Sequence, residues 1–152
     1  MSQLFHVEQS AKTSDDYLTP AWVFDALGLT FDLDVASPPW ETYVPALRKF
    51  TKADDGLSQP WEGRVWMNPP FSNTAPWVSR FIEHRHGIAL VPASNGLWFG
   101  HLWEAADGIA VHVARVYFES ASGGPRDVNV RTIFAAFGDE CVAALGSLGR
   151  IR

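Results

Sequence analysis

A single α/β domain built on a mostly parallel sheet is predicted by three observations. Apolar runs at residues 31–36, 65–67, 87–92 and 109–113 alternate with helix-length segments that carry an apolar face. The run Gly87-Ile88-Ala89-Leu90-Val91-Pro92 is apolar throughout, as a strand covered on both faces must be. The chain has 152 residues, 47% of them apolar and 19% charged, which suits one globular core.

The elements follow in order. Residues 1–15 are polar and irregular and read as a loose N-terminal arm, leaving 16–152 as the domain. Thr19-Pro20 opens a helix, with Thr19 as N-cap and Pro20 in the first turn. Trp22, Val23, Phe24 and Leu27 give it an apolar face, and Gly28 ends it. Residues 31–36 form a strand that Ser37-Pro38-Pro39-Trp40 breaks. Residues 41–63 read as loop, with a turn of helix expected at 44–50. Val65-Trp66-Met67 is the second strong strand. Residues 76–83 form a helix with Trp77, Phe81 and Ile82 on one side. The strand at 87–92 is followed by a helix at 97–106 and a strand at 109–113. Residues 116–119 and 132–137, joined by a Gly/Pro-rich loop at 120–127, are expected to pair as a C-terminal antiparallel hairpin. A short helix at 139–148 closes the chain and holds the single cysteine, Cys141, as a small core hydrophobe.

Charge and composition exclude several classes. A net charge of -5 and a pI near 5.4 argue against a sequence-blind DNA binder with a broad basic face. An enzyme that meets DNA through a local patch stays open, and Arg48, Lys49 and Lys52 are the candidate phosphate contacts. No run approaches the roughly 20 apolar residues that cross a bilayer. The first residues lack the features of a signal peptide, and one cysteine allows no internal disulfide, so a cytoplasmic protein is expected. His84 and His86 flank Arg85 with no third ligand beside them, so no metal site is expected. Of the seven tryptophans, Trp40, Trp61, Trp77 and Trp98 sit beside loop signals, where a ring can stack on a ligand.

The strongest chemical signal is Asn68-Pro69-Pro70-Phe71, directly after the strand 65–67. The Asn side-chain oxygen and a nearby carbonyl can accept both hydrogens of a planar amine. The prolines fix φ and bring no N–H of their own. The aromatic ring can stack on the ring that carries the amine. The same four residues also suit a strand ending in a Pro-rich turn. Asp34 ends the first strand, and loops at such positions form the ligand edge of a parallel sheet.

Taken in order, Thr19-Pro20, Leu33-Asp34-Val35-Ala36-Ser37, Asp54-Asp55-Gly56-Leu57 with Trp61, and Asn68-Pro69-Pro70-Phe71 resemble the phage DNA N-6-adenine-methyltransferase (Dam-type) family over about residues 14–138. The resemblance implies a compact Rossmann-like methyltransferase fold, S-adenosylmethionine (SAM) as methyl donor, DNA as substrate and no metal. Thr19 and Pro20 then match the segment around the methionine part of SAM. Asp34, with Ala36 beside it, matches the strand-end acid near the cofactor amino group. Asp55 matches the acid that accepts from the cofactor adenine amine, although Asp-Gly is also a common turn pair. Glu41 stands where a ribose-binding acid is wanted. Asn68, Pro69, Pro70 and Phe71 match the catalytic loop, which acts on a base flipped out of the duplex. Ser94, Asn95 and Arg115 with Phe118 resemble target-side segments. If the protein is phage-encoded, the compartment is the host cytoplasm. Residues 41–60 and 120–131 are the expected readers of a short target sequence.

Other acceptors share this loop type: the cytosine amine, RNA, or a protein glutamine. A further alternative is a catalytically silent, DNA-binding domain of the same fold. Val35-Ala36-Ser37-Pro38-Pro39 stands where many methyltransferases carry glycines, which favours that last reading.

Overall fold

A computed structural model describes residues 18–112, 116–119, 125–126, 131–148 and 150–151. The expected arm at 1–15, Arg115 and most of the 120–131 loop lie outside the described residues.

The order of elements is α1 (Ala21–Leu27), β1 (Phe31–Asp34), β2 (Ala46–Lys49), a 3-10 turn (Gly56–Ser58), β3 (Val65–Met67), α2 (Ala75–His84), β4 (Gly87–Pro92), α3 (Leu97–Ala105), β5 (Gly108–Val111), β6 (Phe118–Glu119), β7 (Pro125–Arg126), β8 (Thr132–Phe137), α4 (Asp139–Leu145) and β9 (Arg150–Ile151). Seven strands form one sheet in the order β2-β1-β3-β4-β8-β5-β9. The pairs β2–β1, β1–β3 and β3–β4 are parallel. The strand β8 runs antiparallel between β4 and β5, and β9 antiparallel to β5.

Side chains that alternate along each strand feed two cores. On one face Phe31, Trp66, Ile88, Leu90, Phe134 and Ala136 pack under Val23, Phe24 and Leu27 of α1 and Cys141 and Leu145 of α4. On the other face Leu33, Val65, Met67, Ala89, Val91 and Phe137 pack under Val78 and Phe81 of α2 and Leu102 of α3. Both faces of β4 are therefore covered, and all six of its residues are buried. Each large side chain buried here stabilises the fold by about 1.5–3 kcal/mol. Cys141 lies buried in α4, as its residue type suggested.

Three expectations are corrected. Residues 46–49 form a parallel edge strand rather than a turn of helix. Pairing with β1 sets their conformation, and Leu47, Arg48 and Lys49 face solvent, so no apolar pattern marks them. Residues 116–119 and 132–137 do not form a hairpin: β6 pairs with β7 in a separate two-stranded sheet, and β8 inserts between β4 and β5. The apolar run of β8, buried at all six positions, is satisfied only inside the main sheet. Thr19 does not cap α1; Pro20 occupies the N-cap, with its carbonyl accepting from the Val23 N–H at 3.2 Å. At the other end Gly28 adopts φ 64°, a left-handed cap that lets its N–H reach the Phe24 carbonyl.

Candidate active site

The carboxyl ends of β1 and β3 lie side by side, with Asp34 in register with Trp66. A cleft opens there, bordered by both strand ends. Seven sequence-predicted residues border it: Thr19, Asp34, Ala36, Asn68, Pro69, Phe71 and Phe118. Leu18, Pro38, Thr42, Val44 and Trp66 complete the wall.

Asp34 is 3% exposed. One carboxylate oxygen accepts the Ala36 N–H at 3.3 Å. Burial pushes its pKa up to about 7, against the opposing pull of that N–H and of Lys49, its cross-strand neighbour on β2. The Lys49 ammonium donates to the Trp40 carbonyl at 3.2 Å. A buried acid this poorly compensated favours a cationic ligand, which would stabilise its charged form.

Asn68 follows β3 and lies two residues beyond Trp66. Its Nδ2 donates to Thr19 Oγ1 at 3.1 Å. Its Oδ1 is buried and accepts no hydrogen bond. A buried acceptor left without a donor costs about 1–3 kcal/mol, so such atoms call for a functional explanation. The turn beyond it is fixed from within: the Pro70 carbonyl accepts from Thr74 Oγ1 at 3.1 Å and from the Asn73 N–H. The half-buried Phe71 ring meets Phe118 edge to face, with centroids 5.9 Å apart.

The remaining candidates lie elsewhere. Pro20 and Pro70 are outside the cleft wall, though each adjoins a residue in it. Asp55 caps the 3-10 turn in a left-handed conformation, and its carboxylate accepts from Ser58 Oγ at 2.6 Å. The next residue, Gly56, lies so close to the Val35 carbonyl that a Cβ would stand 2.2 Å from it. The Asp55-Gly56 turn is thus packed against the end of β1, beside the cleft rather than in its wall. Glu41, Ser94 and Asn95 also lie outside the wall. Arg48 pairs loosely with Glu62 at 4.0 Å, and Lys52 is exposed. His84 Nε2 is hydrogen-bonded to the Gly63 carbonyl.

None of the four loop-flanking tryptophans borders the cleft. Trp61 and Trp77 stack on each other, and Trp61 Nε1 donates to the Gly56 carbonyl, so both buttress the Asp55 turn. The ring in the wall is Trp66, which sequence reasoning treated as plain strand. Its position two residues before Asn68 puts both on one face of the sheet, which was the available signal.

A family model described as DNA N-6-adenine-methyltransferase (Dam) matches residues 7–146. The chain belongs to that family. A curated relative, the DNA N-6-adenine-methyltransferase of Haemophilus phage HP1 (strain HP1c1), is 38% identical over 83 residues. The match covers 50% of this chain and 47% of the relative, so the chain spans about half the length of the curated relative it matches. No solved structure matches the chain. Among the described residues no helix is long and apolar enough to cross a membrane.

Proposed function

We propose that this family member is a DNA N6-adenine methyltransferase that moves a methyl group from SAM to the exocyclic amine of a flipped-out adenine. The observation that carries the reading is the buried, unpartnered Oδ1 of Asn68 in the cleft wall. It is an acceptor held ready for an N–H donor. Family membership supports adenine as the base, and the order of strands with the cleft at their carboxyl ends supports a compact Rossmann-like methyltransferase fold.

The residues present suit SAM. Asp34 supplies a buried carboxylate for its positive charge, and Ala36 leaves room beside it. Thr19 borders the same space, and Asp55, in the turn packed against the end of β1, is a candidate acceptor for the cofactor adenine amine. When bound, SAM supplies an electrophilic sulfonium methyl: a carbon–nitrogen bond forms as the carbon–sulfur bond breaks, and the surplus amine proton passes to water.

Everything else is positioning by the chain. Asn68 Oδ1 accepts one amine hydrogen and the Pro69 carbonyl accepts the other. Both hydrogens lie on the acceptor side, which turns the nitrogen lone pair toward the methyl group. Phe71 stacks on the flipped base, while Phe118 packs against the Phe71 ring at right angles. A neutral amide is no strong base, so catalysis rests on orientation and preorganised acceptors. Arg48, Lys49 and Lys52 are the candidate contacts to DNA phosphates.

Incubation of unmethylated DNA with labelled SAM, followed by nucleoside mass spectrometry, tests this reading. N6-methyladenine is expected. Label only in N4-methylcytosine, or label only with RNA or protein as acceptor, would contradict it. Failure to bind SAM at millimolar concentration would leave a silent domain.

A further inference from the structure

We infer that Arg80 is a positioning residue for the methyl donor: its guanidinium clamps the turn at residues 56–59 against the end of β1 and so keeps the Asp34 and Ala36 wall of the cleft in shape. The inference rests on the SAM reading above and adds to it a residue that lies outside the cleft.

The turn is a weak element on its own. It is a 3-10 piece of three residues, Gly56–Ser58, and such pieces have poor hydrogen-bond geometry. The chain enters it through Asp55 at φ 56°, a left-handed conformation in a residue other than glycine. Backbone of that kind persists where the surroundings over-determine it. Here Arg80 does so. Its guanidinium donates to the Leu57 carbonyl at 2.8 Å and to the Gln59 carbonyl at 2.7 Å. These bonds have one sense only, since a guanidinium donates and a carbonyl accepts. The same guanidinium lies over the Trp61 ring, 4.9 Å from its centre, and Trp61 Nε1 donates to the Gly56 carbonyl at 2.8 Å.

The clamp reaches two places. Through Gly56 it reaches β1, because Gly56 lies against the Val35 carbonyl with no room for a Cβ between them. Val35 stands between Asp34 and Ala36, which both border the cleft. Through α2 it reaches the acceptor loop. Thr74, the N-cap residue of α2, donates from Oγ1 to the Pro70 carbonyl, and Arg80 sits further along the same helix. One helix therefore carries the pin of the Asn68-Pro69-Pro70-Phe71 loop and the clamp behind Asp34. The pin does not involve Arg80, so the loss of Arg80 falls on the donor side.

The test uses the full chain, calorimetric titration with SAM, and label transfer to unmethylated DNA at saturating SAM. Arg80→Met keeps an apolar stem over Trp61 and removes both hydrogen bonds. It is expected to weaken SAM binding by about tenfold, with kcat at saturation within about threefold of wild type. Arg80→Lys, whose single ammonium lacks the two-pronged fork, is expected to fall between the two. Arg64→Met is the control. Arg64 also donates to a backbone carbonyl, that of Thr30 at 2.9 Å, but at the amino ends of β1 and β3, away from the cleft. Its SAM affinity is expected within about twofold of wild type even where its Tm falls. In a Gly56→Ala background the turn is already pushed off the Val35 carbonyl, so adding Arg80→Met is expected to cost less than about twofold more. If Arg80→Met melts near the assay temperature, Arg80→Lys carries the same comparison.

Wild-type SAM affinity in Arg80→Met would overturn the inference. So would an equal loss of affinity in Arg64→Met, which would make the effect one of general stability. A fall in kcat larger than the fall in affinity would place Arg80 on the acceptor side and overturn it too, as would a fully additive loss in the Gly56→Ala background. A wild-type chain that binds no SAM would overturn the proposed function, and the inference with it. One that binds SAM but transfers no methyl group would overturn the acceptor reading alone, and the titrations would still decide on the clamp.

Discussion

Asp34 and Asn68 stand at the ends of adjacent parallel strands and face one cleft, yet each is prepared in a different way. Asp34 is a charge that the fold under-compensates: buried, with one N–H bond and a lysine across the strand pair. Asn68 is neutral, satisfied on its donor side and deliberately unsatisfied on its acceptor side. The first wall is tuned by protonation and should respond to pH. The second is tuned by geometry and should not. Under the proposed function, binding the methyl donor and orienting the acceptor would be separable tasks, placed on neighbouring strands.

The largest expected effect is on the geometric wall. Asn68→Ala should lower methyl transfer by at least about 1,000-fold at saturating SAM, because the acceptor is made only for the reacting amine. Rates of label transfer to DNA measure this directly.

Next comes the charged wall. Asp34→Asn should weaken SAM binding by about 10- to 100-fold, the scale of one charge-assisted contact, while changing kcat at saturation little. Calorimetric titration separates the two. The same variant should be more stable without ligand: at pH 8 its Tm should exceed that of wild type, since a buried carboxylate no longer has to ionise.

The pH dependence sharpens the contrast. Asp34 has a folded pKa near 7, above its ordinary value of 3.8. The native state therefore keeps its proton where the unfolded chain has lost it. The stabilisation is full below about 3.8 and is lost as pH rises toward about 7, then levels. A cationic ligand reverses the preference. SAM affinity should rise by up to about tenfold per pH unit between about pH 5 and 7. That slope should vanish in Asp34→Asn and persist in Asn68→Ala. Titrations at three pH values are enough to find it.

The smallest effect concerns the brace on Phe71. Phe118→Leu keeps an apolar side chain but removes the edge-to-face contact, worth about 0.5–1.5 kcal/mol. A fall of about threefold to tenfold in kcat, with SAM affinity unchanged, is expected from steady-state kinetics.

Much of this arrangement was legible in the sequence. The helices α1, α2 and α3 and the strands β1, β3 and β4 carry periodicity that depends only on near neighbours in the chain. Asn68-Pro69-Pro70-Phe71 and Asp34 announced themselves by residue type at a strand end. What stayed hidden depends on distant partners. Strand β2 faces solvent and takes its conformation from β1, so Leu47, Arg48 and Lys49 show no pattern of their own. Strand β8 is plainly apolar, but nothing local says that it enters between β4 and β5. Thr19 carries every mark of a helix cap, and a contact 49 residues away claims its hydroxyl instead. Asp55 reads both as a turn residue and as a ligand contact; the structure places it at a turn packed by Gly56 and the Trp61–Trp77 stack, which its neighbours in sequence do not reveal.

The separation of the two walls is tested most directly by measuring Asp34→Asn and Asn68→Ala side by side, each for SAM affinity and for methyl transfer at saturating SAM. The account predicts a crossed result: weak binding with near-normal turnover in the first, near-normal binding with turnover lost in the second. An Asn68→Ala chain that still methylates DNA, or an Asp34→Asn chain that binds SAM as wild type does, would contradict it.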